Sequence, residues 1–148
     1  MMMYFAYGSN MNPARMIARN MRFTRREFAL LRDYRLLFNK KATDGNYSFA
    51  NIEPAPGSIV EGVIYEFPEE DIIHLDIAES WPEQYIKSKV QVISEVGEPI
   101  EAVVYIAHPQ RTAEGFLPTA EYMHHLLAGS DLLSAGYVQK LQEQNTLN

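Results

Sequence analysis

Met2-Met3-Tyr4-Phe5-Ala6-Tyr7-Gly8-Ser9-Asn10-Met11-Asn12-Pro13 stands near the start of the chain, and the reading begins there. Met2 to Ala6 is short and wholly apolar, which predicts a buried strand. Tyr7-Gly8-Ser9-Asn10 is loop chemistry. Asn12 suits the cap of a following helix, and Pro13 its first turn, where a missing N–H costs nothing. That helix is expected to end near Asn20. A strand that delivers a small polar loop to a helix start can form a backbone anion cradle. Gly8 permits close approach of a ligand. Ser9 and Asn10 add short polar side chains, and the helix start offers unpaired N–H groups. Such a loop can hold a carboxylate or stabilise an oxyanion in acyl transfer. It has one glycine and no Gly-Lys-Ser/Thr, so it is neither a P-loop nor a dinucleotide fingerprint. On spacing alone, a plain strand-to-helix turn is the default.

Working outward, Phe28 to Phe38, Phe49 to Ile52 and Val60 to Phe67 read as strands, with a turn at Pro54 to Gly57. Pro68 to Glu79 reads as a short helix with Glu69, Glu70 and Asp71 at its positive end. Gln84 to Val96 and Ile100 to Ala107 form a hairpin about Gly97-Glu98-Pro99. Pro118 to Gln144 reads as one or two helices, broken near Gly129 and Ser130. The strands cluster instead of alternating with helices, which predicts an α+β fold. Val60 to Phe67 and Ile100 to Ala107 are apolar at nearly every position. Strands of that kind are buried on both faces, inside a barrel or a strongly curved sheet. At 148 residues the whole chain, 1–148, is expected to be a single domain.

Composition removes several classes. Apolar residues make up 47% of the chain, enough for a packed core, so disorder is not its main state. There is no cysteine, which excludes disulfide scaffolds, iron–sulfur ligation and thiolate catalysis. A net charge of −6 argues against a nucleic-acid binder with a broad basic footprint. The arginines between Arg22 and Arg35 are interleaved with hydrophobes, as on a solvated strand face. No run is long enough to span a membrane, and the first residues lack a signal peptide's basic segment. The expectation is a soluble, cytoplasmic protein that contacts neither nucleic acid nor membrane. Its oligomeric state is not legible.

Leu75-Asp76-Ile77-Ala78-Glu79-Ser80-Trp81-Pro82 is the second candidate for chemistry. Asp76 and Glu79 share a helix face. Glu79 at the helix end, beside Trp81 and Pro82, would have its pKa raised by desolvation and by the negative helix end. That suits a general base and acid near neutral pH. Taken alone, a solvated surface glutamate is by far the commoner case. His74, His108, His124 and His125 form no ligand spacing, so no metal is expected. No Gly-x-Ser-x-Gly is present. Tyr122 and Tyr137 read by default as packing residues with satisfied hydroxyls.

Together these pieces resemble the gamma-glutamylcyclotransferase-like (AIG2-like) family. Tyr4 to Met11 is similar to its most recognisable motif. Arg32 to Phe38, Ala50-Asn51-Ile52 and Val60 to Tyr65 resemble its next strand segments in order. Leu75-Asp76-Ile77-Ala78-Glu79 resembles its LDxxE motif. Pro82 and Tyr85 fall on a P-x-x-Y, and Tyr137 to Leu141 on a terminal Y-x-x-K-L. Two departures are evident: Ser80 follows the glutamate in place of the usual glycine, and Leu132 to Gly136 lacks the common G-L-P. The resemblance implies a small mixed β-barrel flanked by helices. It implies cyclisation of a γ-glutamyl group to 5-oxoproline with release of an amine, and no cofactor. It makes Glu79 the catalytic glutamate, and Tyr7, Gly8, Ser9, Asn10, Met11, Tyr85 and Tyr137 the substrate contacts. The substrate supplies its own amine nucleophile, Glu79 moves its proton, and the Gly8–Met11 loop holds either the carboxylate or the oxyanion. The implied partner is a small γ-glutamyl molecule, which includes γ-glutamyl-ε-lysine or another γ-glutamyl metabolite. A non-catalytic binding module of the same fold is the alternative.

Overall fold

The computed structural model describes all 148 residues. Five strands form a closed barrel: β1 (Met2–Ala6), β2 (Arg25–Lys41), β3 (Ser48–Phe67), β4 (Tyr85–Ser94) and β5 (Pro99–Ala107), in the order β1-β3-β2-β4-β5. Neighbours are antiparallel except β1 and β5, which close the ring in parallel at Tyr4 and Val103. Four helices flank it: α1 (Pro13–Ala18), α2 (Ile72–Ala78), α3 (Ala120–Leu127) and α4 (Ala135–Gln142). This is the α+β mixed barrel expected from the sequence.

Alternation along β1 explains why so many strand residues are apolar. Phe5 and Tyr7 join one buried cluster with Leu31, Ile52, Val60 and Val104. Tyr4 and Ala6 join a second, with Met11, Leu75, Met123 and Leu126, where the helices pack. A period of two therefore buries both faces of the strand. Gly62 on β3 is what lets β1 lie so close. A Cβ there would stand 2.4 Å from the Ala6 carbonyl oxygen and 2.8 Å from the Phe5 ring. Neither neighbour can retreat, because both residues are fully buried. Gly62→Ala is expected to lower stability by about 1–3 kcal/mol, the usual cost of overpacking; an unshifted thermal midpoint would show that β1 adapts freely.

One expectation needs correction. Phe49 to Ile52 and Val60 to Phe67 are a single strand, with Pro54 to Gly57 inside it rather than forming a turn between two strands. The prolines sit where the β2–β3 register slips, between Arg32 and Tyr34, so their missing N–H groups interrupt no regular ladder. Asp33 adopts φ +65° at that bulge, and its carboxylate accepts the Gly57 N–H at 2.9 Å. The two chains bend together there and stay paired.

Helix ends follow the local rules. Asn12 accepts the Ala14 N–H at 3.0 Å, with Pro13 opening α1. Thr119 and Ser134 cap α3 and α4 in the same way. Of the arginines between Arg22 and Arg35, four form ion pairs, with Glu27, Glu53, Glu70, Asp71 or Asp131, so the cluster is largely compensated. No helix is long and apolar enough to cross a membrane.

Candidate active site

The end of α2 sets the site's central carboxylate. The Ser80 N–H reaches the Ile77 carbonyl at 3.1 Å and the Trp81 N–H reaches Asp76 at 2.9 Å. That pair of bonds is a Schellman ending, which requires a left-handed residue just past the helix. Ser80 supplies it, at φ +51°. Glu79 therefore sits on the cap: its N–H still makes the helical bond to the Leu75 carbonyl at 2.8 Å, and the chain leaves the helix only after it. Asp76 accepts the Tyr105 hydroxyl at 2.7 Å and pairs with Lys87 at 3.0 Å, outside the cavity. Ser80 is exposed and its side chain makes no hydrogen bond, so Ser80→Gly is expected to stabilise the fold by up to about 1 kcal/mol. Thermal unfolding tests this, and a lowered midpoint would contradict it.

Glu79 faces a cavity of about 430 Å³ bounded by the loop after β1, the end of β2, the start of β3, and residues of α1, β4 and α3. Its side chain is 19% exposed. Asn10, on a single 3-10 turn (Ser9–Met11), donates from Nδ2 to Glu79 Oε1 at 3.2 Å and to the Tyr4 hydroxyl at 2.9 Å. Arg19 donates to the Asn10 amide oxygen and lies 3.9 Å from Glu79 Oε1. The Tyr65 hydroxyl holds the Asn10 carbonyl at 2.7 Å, so both ends of this residue are fixed. Arg15, one turn before Arg19, and Lys40 from β2 also line the cavity. Three cations thus surround one inward carboxylate.

Burial pushes the Glu79 carboxyl above the usual carboxylate range, while Arg19, Arg15, the Asn10 amide and Lys40 pull it back. The desolvating wall is the cavity itself, not Trp81, which is exposed under the Lys87 ammonium. Burial also pushes the hydroxyls of Tyr4, Tyr7, Tyr85 and Tyr122 upward, and the nearby Glu79 charge adds to this. All four stay neutral, as donors or acceptors. The Tyr122 oxygen accepts the Ala50 N–H at 3.0 Å and also faces the Ser9 N–H. Its own proton is left for the cavity.

Of the residues singled out in the sequence, Glu79, Tyr7, Gly8, Ser9, Asn10 and Tyr85 come together here. Tyr7 spends its hydroxyl on the Tyr105 carbonyl at 2.6 Å, so it shapes the wall. Met11 and Tyr137 are not brought in. Met11 is fully buried in the core, and its N–H closes the 3-10 turn on the Gly8 carbonyl at 3.0 Å. Tyr137 lines a separate groove with Leu36, Phe38 and Lys140, where α4 packs on β2. Ser134, in the stretch lacking G-L-P, caps α4 and binds Glu61 through its hydroxyl at 2.6 Å, which seats that helix. The sequence reading missed Arg15, Arg19, Lys40 and Tyr4, and left Tyr122 to packing. The only local signal was the four-residue spacing of Arg15 and Arg19, which puts both on one helix face.

Residues 4–124 match the family described as gamma-glutamyl cyclotransferase, AIG2-like. The chain belongs to that family. Tyr137 lies beyond the matched residues. Among solved structures, one called gamma-glutamyl cyclotransferase superimposes with a TM-score of 0.85 at 24% identity, over 99% of this chain and 89% of its own. An uncharacterized protein from Homo sapiens gives 0.86 at 26% identity, over 99% and 89%. A yeast cyclotransferase described as specific to glutathione gives 0.70 at 15% identity, over 96% and 94%. No curated protein sequence matches the chain.

Proposed function

We propose that the protein closes a γ-glutamyl group into 5-oxoproline and releases the attached amine, with Glu79 as base and then acid. The observation that carries this is a largely buried carboxylate, oriented by Asn10, in a cavity that also holds Arg15, Arg19 and Lys40. A γ-glutamyl substrate bears an ammonium and a carboxylate on one carbon. The ammonium is the natural partner of Glu79. The carboxylate then falls within a few ångströms, beside Arg19 and Arg15.

The chemistry balances without an external nucleophile. Glu79 takes a proton from the α-ammonium. The freed nitrogen attacks the γ-carbonyl carbon, forming the ring C–N bond and an oxyanion. Cavity donors for that oxyanion are the Gly8 and Asn10 N–H groups, which no protein acceptor takes, and the Tyr122 hydroxyl. The ring nitrogen then sheds its second excess proton, the oxyanion collapses and the old amide C–N bond breaks; Glu79 returns its proton to the departing nitrogen, and with the second proton the amine leaves as an ammonium. Folding the glutamyl chain into the attacking shape is worth up to about 7–11 kcal/mol when orientation is good.

The test is mass-spectrometric detection of 5-oxoproline from the purified protein with γ-glutamyl dipeptides, glutathione and γ-glutamyl-ε-lysine. Formation of 5-oxoproline with stoichiometric release of amine is the expected result. A folded protein that binds a γ-glutamyl compound and leaves it intact would instead be a binding module.

A further inference from the structure

Lys40 is the cation that the proposed reaction leaves unused. It stands one residue before the end of β2 and is 3% exposed. Its ammonium lies 5.6 Å from the Tyr85 ring centroid and 5.9 Å from that of Phe49, both cavity-lining rings. It donates one hydrogen bond, to the Lys41 carbonyl at 2.8 Å. An ammonium has three donors, and none of the ion pairs in the protein includes Lys40. The charged groups acting on it are Arg111, Lys41 and Glu79. Asp44, also at the cavity, is exposed and accepts the Tyr47 hydroxyl at 2.5 Å. A buried cation with so few partners is costly to keep. Burial and the neighbouring Arg111 already depress its pKa.

The substrate's own geometry assigns the partner. The glutamyl carboxylate must stay near Glu79, because it shares a carbon with the ammonium, and Arg19 and Arg15 stand there. The leaving amine lies across the γ-carbonyl from that carbon. Lys40 is the remaining cation of the cavity.

We propose that Lys40 selects the leaving group, its ammonium holding a carboxylate carried by the amine half of the substrate. The inference rests on the γ-glutamyl reading above. It makes Lys40 the residue that separates γ-glutamyl compounds whose amine bears an acid from those of simple alkylamines.

The experiment compares γ-glutamyl-alanine with γ-glutamylethylamide, the same skeleton without the second carboxylate. The wild-type protein is expected to favour the first in kcat/KM by about 10–100-fold, the range of a hydrogen bond to a charged group. In Lys40→Met that ratio falls toward one, and in Lys40→Arg part of it survives. Lys40→Met is also expected to keep or raise the thermal midpoint, since it removes a poorly compensated buried charge; Lys40→Gln is the second variant should Met fail to fold. Calorimetric titration of both compounds into Glu79→Gln, with and without Lys40→Met, gives the same comparison without turnover. A wild-type ratio near one, or a ratio unchanged by Lys40→Met, overturns the Lys40 assignment while product formation leaves the cyclotransferase reading standing. Binding that needs both the carboxylate and Lys40, with no 5-oxoproline formed, upholds the subsite and overturns the cyclisation. No binding of either compound overturns both.

Discussion

Glu79→Gln is expected to cut 5-oxoproline formation by about 100-fold or more, with the fold intact. Gln keeps the oxygen that Asn10 donates to, and it keeps the side-chain length, so the cavity is preserved. What it loses is the ability to take a proton from an ammonium, without which the substrate nitrogen has no lone pair to attack with. Glu79→Asp separates charge from position: it keeps a carboxylate but withdraws it from Asn10, and should fall between the two. Stability provides a second reading. The Glu79 pKa is raised in the folded protein, so folding favours the protonated form. Its effect on stability is best below the unfolded pKa and deteriorates as pH rises through the folded value. Glu79→Gln should therefore match the wild type in acid and exceed it at neutral pH in thermal unfolding. Turnover at the wild-type rate in Glu79→Gln would remove Glu79 from the mechanism.

Asn10→Ala is expected to lower kcat/KM by about 10–100-fold through misplacement of Glu79, since small errors in position are that costly. Asn10 is 3% exposed and touches Glu79, Tyr4 and Arg19 at once. Its amide is one of the groups that hold the Glu79 pKa down. Removing it raises that pKa further, so the acid limb of the kcat/KM profile should move to higher pH. The sign follows from the base role: activity needs the ionised carboxylate and is lost as pH falls through its pKa. Asn10→Asp should move the limb in the same direction, because a second negative charge beside Glu79 also disfavours its ionisation. A fallen rate with an unmoved limb would mean that Asn10 only shapes the loop.

Most of the fold was readable because its signals are local. An apolar run, an Asn-Pro helix start and two strands buried on both faces each act within a few residues, and the barrel accommodates them all. The break in the reading of β3 has a definite cause. Pro54, Pro56 and Gly57 are turn residues by chemistry, yet a matching bulge at Asp33 in β2 lets the strand continue through them. Pairing across the sheet outweighed local preference. In the site, Glu79 and the Gly8–Asn10 loop were legible as motifs. The reason for the Glu79 pKa was not, because the wall that desolvates it comes from distant strands.

The sequence by itself determined the α+β class, the capped start of α1, the absence of thiol chemistry, and the two segments that carry the carboxylate and the loop. Tertiary structure decided which residues share a cavity. It joined Asn10 to Glu79 across 69 positions and brought Lys40 of β2 to Tyr85 of β4. It also carried Tyr137 to a different groove. Those placements depend on barrel closure and on how α4 packs, and contacts between segments far apart in the chain leave no trace in local spacing.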